Sequence, residues 1–362
     1  MPAGTLVPVD PRVPLVGLTA QEIAERLAPR EDARWRAKQI AKWVYGKAVA
    51  DFDAMRDLPA TLRAELAEAF TVDPLTVARH AKSSDGVEKL LVHRGDGQVY
   101  ECVLLPYEDR VSCCLSSQVG CPMGCTFCAT GLGGFDRNLS AAEIVGQYLL
   151  LQRLTTRRIG HVVFMGMGEP LLNLNNVVKA IGLLHDEVGL SLRHITVSTV
   201  GLVPQIRKLS QTGLPIHLAL SLHAARDEVR ERLMPVNKKW PVAEVVSAMR
   251  AHQKATGRKV TFEVLLIADV NDSTEDAAAM ARLVRGFPCI VNLIPFNYVD
   301  TEQGFRRPSA NRIRAFRGVL ESAGVTVTQR VERGHDIAAA CGQLAGEHVG
   351  RFAKRGVPLG VR

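Results

Sequence analysis

Nothing in the 362-residue sequence runs to the roughly 18 consecutive apolar residues that a membrane-spanning helix needs, so no membrane partner is expected. Met1 to Pro14 lack the basic start and apolar stretch of a secretory signal, which points to a cytoplasmic protein. No internal repeat or low-complexity tract stands out. A disulfide framework is also set aside, because the eight cysteines of a cytosolic chain stay reduced; metal or redox chemistry is the better reading of them. What is present is ample apolar material, 47% of residues, on a chain long enough for roughly two domains, so disorder is not the main story. Lysine and arginine exceed aspartate and glutamate by 45 − 37 = 8, a bias that favours encounters with polyanions. A merely soluble basic surface gives the same excess.

Residues 17–70 read as small helices. Thr19-Ala20-Gln21-Glu22 has the form of a capping box ahead of Ile23 and Leu27. A second helix sets Arg34, Lys38 and Lys42 at i, i+4 spacing on one face, with Ile40, Trp43 and Val44 left to pack. That stripe suits phosphates, or it is a solvated helix face. Two β-like runs between Lys89 and Leu105 flank Gly95-Asp96-Gly97 and read as a hairpin.

Six strand-like runs follow, at 112–117, 161–165, 194–198, 216–221, 260–267 and 290–295. Each precedes an amphipathic helical stretch, near 140–154, 173–187, 203–212, 241–256, 273–285 and 309–323, with Ser140 and Glu143 capping the first. Strands alternating with helices imply an α/β fold: a parallel sheet with right-handed crossovers, either an open curved barrel or a doubly wound sheet. In both, ligands sit at the strand C-termini. A last strand-like run at 325–331 precedes a tail whose final dozen residues read as poorly ordered.

Cys121-Pro-Met-Gly-Cys125-Thr-Phe-Cys128 places three thiols on the loop after the first of these strands. Three ligands leave one iron of a cubane open, whereas an electron-transfer cluster uses four thiolates and a structural zinc also wants four ligands. Zinc and a plain ferredoxin-like cluster are the competing readings. The spacing resembles the radical S-adenosylmethionine superfamily, whose [4Fe–4S] cluster binds the amino and carboxylate groups of S-adenosylmethionine at the open iron. Met165-Gly-Met-Gly168-Glu169-Pro170 follows the second strand and resembles that superfamily's site for the methionine amino group. Ser198, the Ser221-Leu222-His223 segment and Asn297 also fall just after strands. Each alone is most simply a cap or loop hydrogen bond, but their shared position fits one cofactor-binding rim.

Two segments lie outside the cofactor motifs: Cys114-Leu-Ser-Ser-Gln-Val-Gly-Cys121, and Gly334-His-Asp-Ile-Ala-Ala-Ala-Cys341-Gly-Gln-Leu344. With Gly-Met-Gly-Glu-Pro-Leu-Leu-Asn at 166–173 and Pro-Phe-Asn at 295–297, they closely resemble the RlmN family of adenine-C2 methyltransferases, related to the Cfr C8 methyltransferases. The likeness runs from about residue 85 to 346; the N-terminal helices match in general character, and His335 stands where a small or acidic residue is expected. Cys102, Cys113 and Cys289 are read as core cysteines.

The resemblance implies a partial (β/α)6 barrel of radical S-adenosylmethionine type over 109–332, behind a helical RNA-binding domain (1–80) and a β-hairpin extension (85–108). A C-terminal loop with the methyl-carrier cysteine, and a tail, make up 333–362. The implied substrate is 23S ribosomal RNA before ribosome assembly is complete, at adenine 2503; whether adenine 37 of tRNA is a second substrate is left open. A flavodoxin or ferredoxin is the expected electron donor. Cys341 is implied to carry the methyl, Glu101 to take the C2 proton, and Cys114 to resolve the RNA adduct through a transient disulfide. In a β run Cys113 and Cys114 point to opposite faces, so only one of them can meet Cys341. Arg157, Arg158, Lys238 and Lys239 are candidate RNA contacts. C8 methylation, a non-catalytic RNA-binding iron–sulfur protein and a small-molecule radical enzyme remain the rival readings.

Overall fold

A computed structural model describes residues 10, 12–299 and 303–344; the reading of the last dozen residues lies outside them. The N-terminal region holds α1 (Ala20–Leu27), α2 (Ala33–Ala41) and α3 (Ala60–Ala69), clipped by the short parallel pair β1 (Val13–Pro14) and β2 (Phe70–Thr71). Thr19 and Glu22 form the expected capping box. The second helix widens into a π-turn over Lys42–Gly46, a departure that sequence periodicity did not signal. Arg34, Lys38 and Lys42 are exposed, and none pairs with a carboxylate among the described residues.

One ten-stranded sheet dominates the chain, in the order β14-β13-β12-β11-β10-β9-β6-β5-β4-β3. Its antiparallel flank is β3 (Thr76–Lys82), β4 (Glu88–His93) and β5 (Val99–Pro106). The hairpin therefore continues into the main sheet, because β5 pairs antiparallel with β6 (Val111–Cys114), setting Val103 opposite Cys114. From β6 onward neighbouring strands are parallel: β9 (Ile159–Phe164), β10 (Ile195–Thr199), β11 (His217–Ser221), β12 (Val260–Leu266), β13 (Cys289–Pro295) and β14 (Thr326–Gln329). These strands curve into an open half-barrel, and among the described residues no strand pairing closes it. The run at 325–331 is thus a seventh parallel strand.

A small antiparallel clasp, β7 (Gln118–Gly120) with β8 (Phe135–Asn138), closes the base of the cysteine loop, which contains the single turn α4 (Ala129–Leu132). Gly120 has φ +72, and a Cβ there would lie 2.1 Å from the Gly134 carbonyl oxygen, so only glycine fits. The crossover helices are α5 (Ala141–Gln152), α6 (Leu174–Asp186), α7 (Val203–Gln211), α9 (Val242–Thr256), α10 (Thr274–Leu283) and α11 (Ala310–Ser322), with α8 (Asp227–Leu233) as an extra element between β11 and α9. α5 is buried on nearly every face because connecting segments of the N-terminal region cover its outer side, Gly17 against Ala142 and Leu75 against Gly146. Arg153 at its end ties the two layers, donating to the carbonyls of Ala48 (2.6 Å) and Val49 (2.9 Å) and pairing with Asp73 at 2.7 Å.

Candidate active site

The site grows from strand ends. After β6 the chain enters the clasp and delivers Cys121, Cys125 and Cys128 on one loop, where the Cys121 amide donates to the Gly134 carbonyl (2.6 Å) and the Cys128 amide to that of Cys125 (3.2 Å). Burial makes each of the three harder to ionise than a free cysteine; the neighbouring thiol adds to this at Cys121 and Cys125, whereas hydrogen bonds from Gly131 and Thr130 oppose it at Cys128. The side chains influence one another, yet no three histidine, cysteine or acidic groups converge on a single point among the described residues. Arg230, fully buried on α8, sets its charge near Cys125 and makes no ion pair among the described residues. Its guanidinium instead donates to the carbonyls of Leu222, Val200 and Trp240 and to Asn237.

Beside this loop lies a cleft of about 790 Å³, the open mouth included, at the C-terminal ends of the parallel strands. Gly168, Glu169, Ser198, Ser221, His223 and Asn297 all line it, with Cys128 and Cys341 on its wall. Gly168 is needed at φ +99, where a Cβ would meet Gln118 at 2.5 Å. Ser198 and Ser221 sit on adjacent strands with their hydroxyls 3.4 Å apart. Leu222 is fully buried and outside the lining; its amide donates to the Glu263 carbonyl (3.1 Å).

Burial disfavours the charged form of two polar groups of this wall. Burial pushes Glu169 up to about 7, against the amide donors of Val200 (2.9 Å) and Leu171 (3.0 Å). Burial, then the Arg230 charge, pushes His223 down to about 3. Its Nδ1 accepts from the Leu265 amide at 3.1 Å, and its ring meets Phe127 edge-on, centroids 4.8 Å apart.

A second cavity shares Met165, Ile294, Asn297, Arg330 and Cys341 with the first and adds Cys114. Cys341 therefore stands on both walls, and the Asn297 amide donates to its carbonyl at 3.2 Å. Burial, then Cys341, pushes Cys114 up to about 12, with Arg330 opposing. Both cysteines are free thiols. Cys113 is fully buried on the other face of β6, and Cys102 and Cys289 are buried as well. Glu101 shares a β5 face with Val103 and Leu105, which line this cavity, but is not itself in the lining. It pairs with Lys89 at 2.8 Å, and Lys89 also donates to the Ala338 carbonyl (3.1 Å), tying the flank to the Cys341 loop. His335 lies outside both cavities, 3.6 Å from Glu332.

Sequence reading passed over Phe127, Glu263 and Arg330, which line the first cavity. Glu263 carried a signal, as the lone carboxylate in Val260-Thr-Phe-Glu-Val-Leu-Leu266. Arg330, just past an edge strand, carried none. Arg157 and Arg158 spend their guanidiniums on the carbonyls of Tyr107, Glu108, Val188 and Gly189, whereas Lys238 and Lys239 are exposed.

Residues 115–281 match the Radical SAM superfamily model, and residues 13–72 match the ribosomal RNA large subunit methyltransferase N-terminal domain. A probable dual-specificity RNA methyltransferase RlmN from Symbiobacterium thermophilum is 47% identical over 94% of this chain and 94% of its own length. The dual-specificity RNA methyltransferase RlmN from Rhodospirillum rubrum is 45% identical over 93% of this chain and 82% of its own length. The crystal structure of a radical SAM methyltransferase from Sphaerobacter thermophilus superposes with a TM-score of 0.89 at 45% identity, covering 92% of this chain and 99% of that one.

Proposed function

We propose, from the premise that this chain belongs to the RlmN family of dual-specificity RNA methyltransferases in the radical S-adenosylmethionine superfamily, that it methylates C2 of adenine in RNA through a methylated Cys341. The substrates are adenine 2503 of 23S ribosomal RNA and adenine 37 of tRNA. One observation carries the reading: Cys341 lies on the walls of both the cofactor-sized cleft and the cavity that holds Cys114. A group carried on its sulfur faces both. The relatives' RlmN name favours C2 over C8.

The residues present fit a [4Fe–4S] cluster and S-adenosylmethionine. Cys121, Cys125 and Cys128 supply three sulfur ligands and leave one iron for the methionine end. The buried Arg230 charge beside Cys125 favours a bound, anionic cluster. Ser198, Ser221 and Asn297 offer hydroxyl and amide groups to the adenosyl and methionine parts, and Gly168 lets backbone come close. Glu169, poised near neutrality, takes on charge when an ammonium group arrives. Bound there and given an electron by a flavodoxin or ferredoxin, the pair supplies a 5′-deoxyadenosyl radical.

The chain's own groups do the rest. Adenine C2 is an electron-poor amidine carbon and does not attack a methyl sulfonium, so the methyl travels on the Cys341 sulfur and joins C2 after losing hydrogen. Once the adduct has passed one electron back to the cofactor pair, Glu101, on the cavity-side face of β5, takes the C2 proton. Cys114 then attacks the Cys341 sulfur, so that a Cys114–Cys341 disulfide forms as the carbon–sulfur bond breaks and the released carbon takes a proton to become the product's methyl. The target base must leave its stack at a cost of a few kcal/mol, which basic contacts from the N-terminal helices offset. Mass spectrometry of ribosomal and transfer RNA from cells with and without the protein tests the reading. 2-Methyladenosine should depend on the protein; 8-methyladenosine in its place would reassign the carbon.

A further inference from the structure

The half-barrel lumen continues below the site toward the strand N-termini, and there its lining changes character. His161 of β9 and His217 of β11 face inward, Arg193 and His194 close in from the turn before β10, and Arg110 comes from the β5–β6 turn. Arg330 forms the ceiling. The space is about 640 Å³, mouth included, and among the described residues no carboxylate lines it. His161 and His194 stack with centroids 4.2 Å apart and planes 21° from parallel. His161 Nδ1 is buried with no hydrogen-bond partner among the described residues, and Arg193 has neither a hydrogen bond nor an ion pair there.

Cationic and donor groups crowd here with no carboxylate in the lining among the described residues; the counter-charges, Asp109 to Arg110 and Glu263 near Arg330, lie outside it. Burial, then His194 and Arg110, holds His161 below the ordinary histidine range, and only Asp109, which pairs with Arg110 at 3.0 Å, works the other way. A concave wall of arginines and histidines, with no carboxylate in its lining and an orphaned buried ring nitrogen, is what an anion needs, and arginine forks suit phosphate oxygens. The space also joins the thiol cavity, since Leu105, Tyr107 and Arg330 line both. Tyr107 carries Arg110 on its ring at 4.4 Å and Arg333 at 5.0 Å, extending the cationic rim along the open side of the half-barrel.

We propose that the lower lumen is an anion subsite that takes a phosphodiester of the RNA substrate next to the nucleotide whose base enters the thiol cavity. It rests on the RNA-methylation reading. The base reaches Cys341, the backbone follows the open side, and a flanking phosphate settles among Arg193, His194 and His161. Its negative charge satisfies Arg193 and gives the His161 ring an acceptor.

The test is fluorescence anisotropy of a labelled RNA hairpin containing the target adenine, titrated with the full chain across a salt series. Arg193→Ala combined with His194→Ala changes exposed residues and leaves the fold and S-adenosylmethionine binding intact; His161→Phe keeps the ring stack while removing the nitrogens. Both should weaken RNA binding about tenfold; the double variant should also lower the salt slope by roughly 0.7 to 0.9, the signature of one lost phosphate contact, whereas His161→Phe, which removes a hydrogen-bonding ring and no fixed charge, should leave the slope nearly unchanged. Inorganic phosphate at matched ionic strength should compete with RNA on the unaltered protein and not on the double variant. Unchanged affinity and slope in the variants, with the unaltered protein binding RNA, would overturn the subsite alone. Phosphate binding that leaves RNA affinity untouched would make this a free-anion site and overturn it too. An unaltered protein that binds no RNA would overturn the reading beneath it.

Discussion

The two walls of the site treat charge in opposite ways. On the parallel wall, burial disfavours charge on the polar groups: Glu169 and Glu263 are pushed up and His223 down. On the antiparallel side, acidic and basic groups are paired: Lys89 with Glu101 on the flank, and Asp96 of the hairpin turn with Arg137 of the clasp, which also meets Glu143 of α5. Desolvation disfavours an isolated ion, so a buried group either changes protonation state or finds a partner. The neutral wall is left able to receive a charged cofactor's amino and carboxylate groups. The paired flank holds a carboxylate beside the thiol cavity, a placement suited to proton transfer.

The largest effects should come where both walls meet, at the thiols. Cys341→Ala should abolish RNA methylation, and intact-mass analysis of the unaltered protein should find one added methyl on Cys341. Replacing Cys121, Cys125 and Cys128 together with alanine should remove iron and sulfide from anaerobically reconstituted protein. A triple variant that keeps a full cluster would move the metal elsewhere.

Cys114→Ala should stall the reaction without stopping its first half. The protein–RNA adduct should then survive denaturing electrophoresis, because denaturant does not break its thioether bond, and should vanish when Cys341 is also replaced. Cys113→Ala should turn over normally, since Cys113 is buried on the opposite face of β6. Multiple turnover by Cys114→Ala with no retained RNA would leave Cys114 a packing role.

The parallel wall was largely legible in the sequence and the flank was not, for a physical reason. In a parallel sheet, position along each strand sets height, so residues just past each apolar run must gather on one rim. Ser198, Ser221, His223 and Asn297 do so. On an antiparallel flank a residue's neighbours depend on register and face, which one strand's pattern does not reveal. The Lys89–Glu101 pair, the seven-residue β3 and its bonding through β4 and β5 into the main sheet all appeared only in the structure. The clasp strands β7 and β8, at three and four residues, are too short to show a period. For Arg157 and Arg158 the sequence shows the charge, and the structure adds the carbonyls to which they donate.

Lys89→Met breaks the flank's rule. The Glu101 carboxylate, whose side chain is only 6% exposed, loses its ammonium partner, and such losses cost roughly 3 to 5 kcal/mol. The urea midpoint should fall accordingly. Adding Glu101→Gln should recover much of the loss, because the buried carboxylate that lost its ammonium is then gone. No recovery would mean that the lysine acts through its bond to Ala338 instead.

The parallel wall's rule predicts a smaller, pH-dependent effect at His223. Its folded pKa, about 3, lies below its ordinary 6.5. The stability from keeping the ring neutral is therefore fully present above about 6.5 and is lost as pH falls toward 3. Between pH 7 and pH 5 the loss from this one group is about 2 kcal/mol. Glu169, with its raised pKa, works in the opposite direction over part of that window, so the unaltered protein's own curve mixes the two. The informative quantity is the difference from His223→Asn. Asparagine tolerates the left-handed φ of +60 at this position and has nothing to protonate. Urea unfolding of the cluster-free protein should show the unaltered chain losing about 2 kcal/mol more than the variant on going from pH 7 to pH 5. Parallel curves would mean that His223 takes up its proton in the folded state, with the Leu265 amide turned away from Nδ1, and the wall would not be neutral at that point.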